Sequence, residues 1–199
     1  CYIGGFDEKK ETTLLWGDSH ANHLVQGVLA ISEQISNNIL LFASAGCAPI
    51  LGESPHNRPN CEENNKLALS IVKEYNVKKI VLASNWQYAR SQGVEIENVS
   101  RTIQHLLTLN IDISIVGQVP IYSTHNPQYL SIRLSENINF DGNWAMKPSK
   151  GFIEREIIKG LSLPKTIKTF DPFETFCTNG KCLIMRNHIL MVVDSAHLS

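Results

Sequence analysis

The chain has 199 residues, 43% of them hydrophobic and 19% charged, with a formal net charge of −1. That size and apolar content suit one globular α/β domain with a real core, and the near-neutral balance excludes the basic footprint of a nucleic-acid binder. No apolar run reaches the roughly 18 residues that a membrane-spanning helix needs, and no signal peptide is visible.

Residues 1–11 are polar and read as peripheral. Thr12 to Trp16 is apolar or β-branched throughout, the pattern of a strand covered on both faces. Gly17 allows a sharp turn. Ala21, Leu24, Val25 and Val28 then recur at helical spacing, which predicts a helix over about Ala21–Gln34. Ser19, within Gly17-Asp18-Ser19-His20, therefore falls at the carboxyl edge of a sheet and at a helix start. Ligands bind at such edges, and free N–H groups there favour negative charge. A serine in that place can attack an acyl carbon while its own N–H helps hold the oxyanion. His20 and His23 flank the helix start, as substrate contacts or as structural side chains.

Ile39 to Ala43 reads as a second buried strand running into Ser44-Ala45-Gly46-Cys47-Ala48-Pro49. Glu62 to Tyr75 is helical, with Leu67, Ile71 and Val72 as its apolar stripe. Lys79 to Ala83 is a third strand, leading to Ser84-Asn85-Trp86-Gln87-Tyr88. Asn85 suits a turn, and Trp86 and Tyr88 form either a face that stacks on sugars or ordinary packing. Ile96 to Leu109 is a helix with Val99, Ile103, Leu106 and Leu107 inward, followed by a fourth strand, Ile111 to Val116. Pro120 through Pro148 is long and polar, studded with Tyr122, His125, Tyr129 and Trp144. Irregular segments of that length are commonly functional, so we expect a substrate-facing loop or lid with one short helix. Gly151 to Leu161 is the last clear helix, Ile167 to Phe170 a fifth strand, and Cys182 to Val193 a small hairpin around Arg186-Asn187-His188. The alternation predicts a three-layer α/β/α sandwich around a mostly parallel five-stranded sheet, with no repeat and no second domain.

The chain closes on Asp194-Ser195-Ala196-His197-Leu198-Ser199. An Asp and a His three apart can turn together towards one nucleophile, the His as base and the Asp as its orienter. That makes Ser19, Asp194 and His197 the candidate catalytic set.

Five cysteines stand at 1, 47, 61, 177 and 182. Four of them allow three pairings. The local pairs Cys47–Cys61 and Cys177–Cys182 are the economical choice, since each spans a polar, turn-rich segment, and Cys1 is left without an assigned partner. Free thiols in a cytosolic protein are the alternative. A zinc site is disfavoured, because no Cys-x-x-Cys or paired-His spacing accompanies the cysteines. Disulfides would imply an oxidising compartment, periplasm or exterior.

Gly17-Asp18-Ser19-His20 together with Asp194-x-x-His197 resembles the SGNH/GDSL hydrolase family. Leu-Trp-Gly-Asp-Ser-His-Ala near the start and Asp-x-x-His-Leu-Ser at the end are most similar to one branch of it, the periplasmic SGNH domain fused behind the acyltransferase-3 membrane domain of bacterial O-acetyltransferases. The resemblance runs nearly end to end and implies a flavodoxin-like SGNH hydrolase fold. It also implies an oxyanion hole: a glycine after the second strand, here Gly46, and an asparagine in a Gly-x-Asn block, here Asn85, join the N–H of Ser19. The block departs from the family pattern, since Ala83 stands where its glycine would be. Asp18, His20 and Trp86 are further candidate substrate contacts.

By the same resemblance the activity is transfer of an acetyl group, through a serine ester, to a hydroxyl of a cell-envelope glycan such as an O-antigen or lipopolysaccharide. The domain itself binds no cofactor or metal. The acetyl group is delivered by an N-terminal acyltransferase-3 domain of the same chain, and the domain is periplasmic. Cys1 is a poor natural start, so 1–199 is expected to be a single domain at the C-terminal end of a longer membrane acyltransferase. Two alternatives stay open: an SGNH esterase that hydrolyses acetyl esters of carbohydrate or lipid, and a non-catalytic glycan-binding module.

Overall fold

The computed structural model describes residues 2–3, 5–31, 37–123, 132, 135–136 and 142–199. Five strands run parallel: β2 (Thr12–Gly17), β3 (Asn38–Ala43), β4 (Val77–Ala83), β5 (Asp112–Val116) and β7 (Lys168–Phe170). A sixth, β1 (Tyr2–Ile3), adds antiparallel to the edge of β3, giving the order β1-β3-β2-β4-β5-β7. The start of the chain, expected to be peripheral, thus extends the expected five-stranded sheet by one. Asn38 holds the connection that follows: its Nδ2 donates to the carbonyls of Asp7 and Lys10, and its Oδ1 accepts from the N–H of Asp7.

Strand β2 is central, in register with β3 on one side and β4 on the other. Its side chains alternate between two covered faces. Leu14 and Trp16 share a row with Leu40, Ile80, Leu82, Ile113 and Ile115, and this row packs on one helical layer. That layer contains α2 (Cys61–Glu74), α4 (Val99–Thr108, led in by a 3₁₀ turn at Ile96–Asn98) and α5 (Phe152–Gly160). Helix α1 (Ser19–Ala30) connects β2 to β3 in the opposite lateral direction, so a right-handed crossover puts it on the other face. The three-layer sandwich of the sequence reading is therefore present. The expected extension of α1 to Gln34 lies outside the described residues.

The inward face of α2 differs from the expected stripe. Cys61, Asn65, Ala68 and Val72 are buried, whereas Leu67 is 52% exposed. The stripe is rotated because Asn65 is a buried hub: its Oδ1 accepts from Trp16 Nε1 at 3.2 Å, and its Nδ2 donates to the carbonyls of Ala48 and Ile50. A polar residue with every hydrogen bond met can lie in a core that an apolar count would deny it.

A second, antiparallel sheet has the order β10-β9-β6, with β8 also paired to β9. It consists of β6 (Trp144–Met146), β8 (Cys177–Thr178), β9 (Lys181–Arg186) and β10 (Ile189–Leu190). The predicted hairpin around Arg186-Asn187-His188 is β9–β10, with Asn187 and His188 both at positive φ, as a two-residue type I′ turn requires. The 177–182 loop is itself such a hairpin, turning on Asn179-Gly180 with Cys177 directly opposite Cys182. The expected 120–148 lid is corrected where it is described. Tyr122 is buried in the satellite core beneath this sheet, with Phe173, Ile184, Met185 and Val192, and Trp144 belongs to strand β6. His125 and Tyr129 lie outside the described residues, as does Cys1.

Candidate active site

Ser19 is the first residue of α1, placed there by what precedes it. Gly17 ends β2 where a Cβ would meet the carbonyl oxygen of Ala83 at 1.6 Å, so only glycine lets β2 and β4 close to this distance. Asp18 caps the helix. Its Oδ1 accepts from the N–H of His20 at 2.8 Å, and its Oδ2 accepts from Ser84 Oγ at 2.8 Å and from the N–H of Asn85 at 2.9 Å. Burial pushes this carboxyl above its ordinary value, opposed by those three hydrogen bonds. Asp18 is 1% exposed, so the expected substrate contact is corrected. Its carboxylate instead ties the end of β2 to the loop that carries Asn85. The N–H of Ser19 makes no hydrogen bond among the described residues, as the first turn of a helix allows.

The structure brings Ser19, His197 and Asp194 into one hydrogen-bonded series. Ser19 Oγ lies 2.8 Å from His197 Nε2, and His197 Nδ1 lies 2.8 Å from Asp194 Oδ2. Asp194 Oδ1 accepts from the backbone N–H groups of Ala196 and His197, at 2.7 and 2.8 Å. Burial acts to raise the Asp194 carboxyl, but those two N–H groups and the imidazole together hold it below its ordinary value. An ionised carboxylate only accepts, so Nδ1 carries the ring proton and Nε2 is left as the acceptor for the Ser19 hydroxyl. The turn is pinned from outside: Val193 N–H donates to His197 O, Tyr122 N–H donates to Ser195 O, and Val192 bridges Leu198.

His20 is 2% exposed, and neither ring nitrogen has a hydrogen-bond partner, so its expected contact with substrate is corrected too. Its ring centroid lies 4.8 Å from that of His23 and 5.1 Å from that of His197. Burial, then the neighbouring imidazoles, holds His20 well below the ordinary histidine value. Burial followed by His197 lowers His23 to about 4. His23 Nδ1 accepts from the N–H of Leu198 at 3.3 Å, fastening the 194–199 turn to α1. Of the two roles the sequence left open for His23 the structure shows the structural one, with a partner that the sequence reading did not name. The signal was present, since residues four apart on a helix, such as Ser19 and His23, share a face.

Gly46 and Asn85 follow the two strands that flank β2. The N–H of Ser44 donates to Gly17 O at 3.0 Å, and Gly46, at φ +69°, then turns the chain. A Cβ on Gly46 would strike the Tyr88 ring at 2.9 Å, and its N–H has no partner among the described residues. Asn85 caps α3 (Trp86–Ser91), its Oδ1 accepting from Tyr88 N–H at 3.0 Å. That bond fixes the amide orientation and leaves Nδ2 as its outer donor. Trp86 is fully buried, with Nε1 donating to Val116 O at 2.9 Å, so it packs and stacks on no sugar. Tyr88 is half-buried, and its hydroxyl accepts from Asn57 Nδ2 at 2.9 Å.

Both expected disulfides are present, Cys47–Cys61 and Cys177–Cys182. The first joins the loop after β3 to the start of α2. Among the described residues no helix is long and apolar enough to cross a membrane, and no group of three or more His, Cys, Asp or Glu is placed to hold a metal ion.

A doubly wound sheet with Ser, His and Asp in series at its carboxyl edge is the architecture of the SGNH class. The chain belongs to the family of SGNH domains fused to AT3 domains, whose profile matches residues 1–199. No curated protein sequence matches it. Among solved structures it is similar to the periplasmic domain of a lipopolysaccharide acetyltransferase from Salmonella ser. Paratyphi A. The TM-score is 0.78 at 19% identity, over 96% of this chain and 78% of that one. At that identity the likeness establishes the fold.

Proposed function

We propose that this domain transfers an acetyl group through an ester on Ser19 to a hydroxyl of a cell-envelope glycan. The observation that carries the reading is the unbroken series Ser19–His197–Asp194, each link 2.8 Å. His197 Nε2 takes the Ser19 proton as Oγ bonds to the acetyl carbon, and Asp194 stabilises the imidazolium. The oxyanion lies against the N–H of Ser19, with Gly46 N–H and Asn85 Nδ2 as further donors; one such donor contributes about 2.7–4 kcal/mol in an acyl-transfer site. Collapse expels the donor's leaving group, which takes the proton from His197. The glycan hydroxyl then gives its proton to His197 as its oxygen attacks the ester carbon, and the second collapse releases Ser19, whose Oγ takes that proton back from His197. These steps call for no bound cofactor.

Family membership supports an AT3 membrane domain as the source of the acetyl group, in the same chain and N-terminal to this one. The two disulfides support a periplasmic site, outside the reducing cytosol. An esterase would use the same steps with water as acceptor. The deciding experiment supplies an acetyl ester and a de-acetylated envelope glycan together, and measures acetate release against glycan acetylation. Acetate alone, at a rate indifferent to the glycan, would make the domain an esterase. Failure of an organophosphonate probe to label Ser19 would leave only a non-catalytic, glycan-binding role.

A further inference from the structure

Beside the Gly46 turn lies a cavity of about 310 Å³ whose lining includes none of Ser19, Asp194 and His197. Its lining includes Ser44, Asn57, Arg58, Asn64 and the Cys47–Cys61 disulfide. Ala45 and Cys47, on either side of Gly46, also line it, so the cavity and the candidate oxyanion donor share one turn. Arg58 Nε lies 3.6 Å from where a Gly46 Cβ would stand. The walls are set in place. Asn64 Nδ2 donates to Ser44 Oγ at 2.9 Å, Asn57 Nδ2 donates to Tyr88 OH at 2.9 Å, and the buried disulfide joins the two sides.

We infer that this cavity is the acceptor subsite, and that it takes a saccharide ring bearing an anionic substituent, a carboxylate or a phosphate. The inference rests on the acyl-transfer reading above. The volume is at the small end of ligand sites, roughly 300–1,000 Å³, which suits one ring rather than a long oligosaccharide. Asn57 uses one N–H on Tyr88 and keeps the second, Asn64 Nδ2 donates to Ser44 Oγ and at 4.0 Å to Cys47 Sγ, and both amides keep a carbonyl oxygen, so the walls offer the mixed donors and acceptors that sugar hydroxyls need. Arg58 supplies the charge preference. It takes part in no ion pair among the described residues, and no carboxylate among them lines the cavity. A guanidinium beside hydroxyl-binding amides, without a protein counter-ion, recognises an anion on the ligand, bidentately if that anion is a carboxylate or phosphate.

The test is an NMR titration of the chain carrying Ser19→Ala, so that binding is read without turnover. Glucuronate, a hexose phosphate and glucose are compared at equal concentration. The side-chain amides of Asn57 and Asn64 should shift with both anionic sugars and scarcely with glucose, and the shifts should weaken with added salt. Arg58→Ala should weaken anionic binding on the order of tenfold, with Arg58→Lys intermediate. Arg58 is exposed, so both variants should fold, as a thermal melt will verify. The tighter of the two anionic sugars names the natural anion. Glucose binding as tightly as both, no binding by any sugar, shifts elsewhere, or an Arg58→Ala variant of unchanged affinity would each overturn the inference. Turnover persisting in Ser19→Ala would instead overturn the acyl-transfer reading, whatever the titration shows.

Discussion

Replacing Asp194 by Asn tests the relay at its most informative point. Oδ1 of Asp194 accepts two backbone N–H groups, and an asparagine carbonyl oxygen can keep both. The amide NH₂ then faces His197 Nδ1, where Oδ2 now stands at 2.8 Å. An NH₂ donates, so Nδ1 must become the acceptor and the ring proton moves to Nε2. Nε2 can then no longer accept from Ser19 Oγ. The same change in serine proteases lowers kcat by about 10⁴, which corresponds to about 5.4 kcal/mol of barrier. Stability should move by no more than about 1 kcal/mol, because both backbone bonds survive. The assay is steady-state hydrolysis of a small chromogenic acetyl ester, with a thermal melt on the same samples. The residues act as a unit, so Ser19→Ala/Asp194→Asn should be scarcely slower than Ser19→Ala. A loss below about tenfold in Asp194→Asn, or multiplicative losses in the double variant, would refute the relay.

Ser19→Ala should abolish ester turnover while leaving stability within about 1 kcal/mol, since the half-buried hydroxyl packs against no core; chemical denaturation checks the second part. Gly17→Ala should prevent native folding, because a Cβ would meet the Ala83 carbonyl at 1.6 Å; far-UV dichroism of the purified variant should show it disordered or aggregated. His23 gives stability a pH dependence of definite sign. Its folded value is about 4 against an ordinary 6.5, so in that window the unfolded chain binds the proton and the folded chain does not. Stability should therefore fall as pH drops from 6.5 towards 4, by roughly 3 kcal/mol from this group. Urea titrations at stepped pH should show a shallower decline in His23→Gln.

The parallel sheet was legible because β2 to β5 are short apolar runs between helical spacings, and burial on both faces leaves that mark. The meeting of Ser19, His197 and Asp194 in one hydrogen-bonded series was legible because they sit in two short motifs at secondary-structure edges. What escaped were polar residues with inward work. Asn65, which no apolar stripe includes, is the hub under Trp16, whereas Leu67 was placed in the stripe and faces outward. Asp18, His20 and Trp86 were candidate substrate contacts, with a structural role for His20 and packing for Trp86 as the alternatives. Asp18 is held by Ser84 and Asn85, 66 and 67 residues away, Trp86 by the carbonyl of Val116, and His20 is simply buried; none of this leaves a local trace. Tyr2–Ile3 is too short to show a period, and joins the sheet only because β3 offers an open edge.

Ser19 and His197 stand 178 residues apart in sequence and 2.8 Å apart in space. Between them lie every strand of the main sheet after β2 and the whole of the second sheet. A chain emerging from its N-terminal side completes β2 and α1 early, and so displays Ser19 long before any base can reach it. The 194–199 turn depends on Tyr122 and His23 as well as on its own backbone, so it forms only against a nearly finished domain. On the proposed acyl-transfer reading, reactivity is thus the last property this chain acquires. A stalled, truncated or misfolded copy would on that reading be chemically inert, and turnover would be a direct report that the long-range architecture is whole.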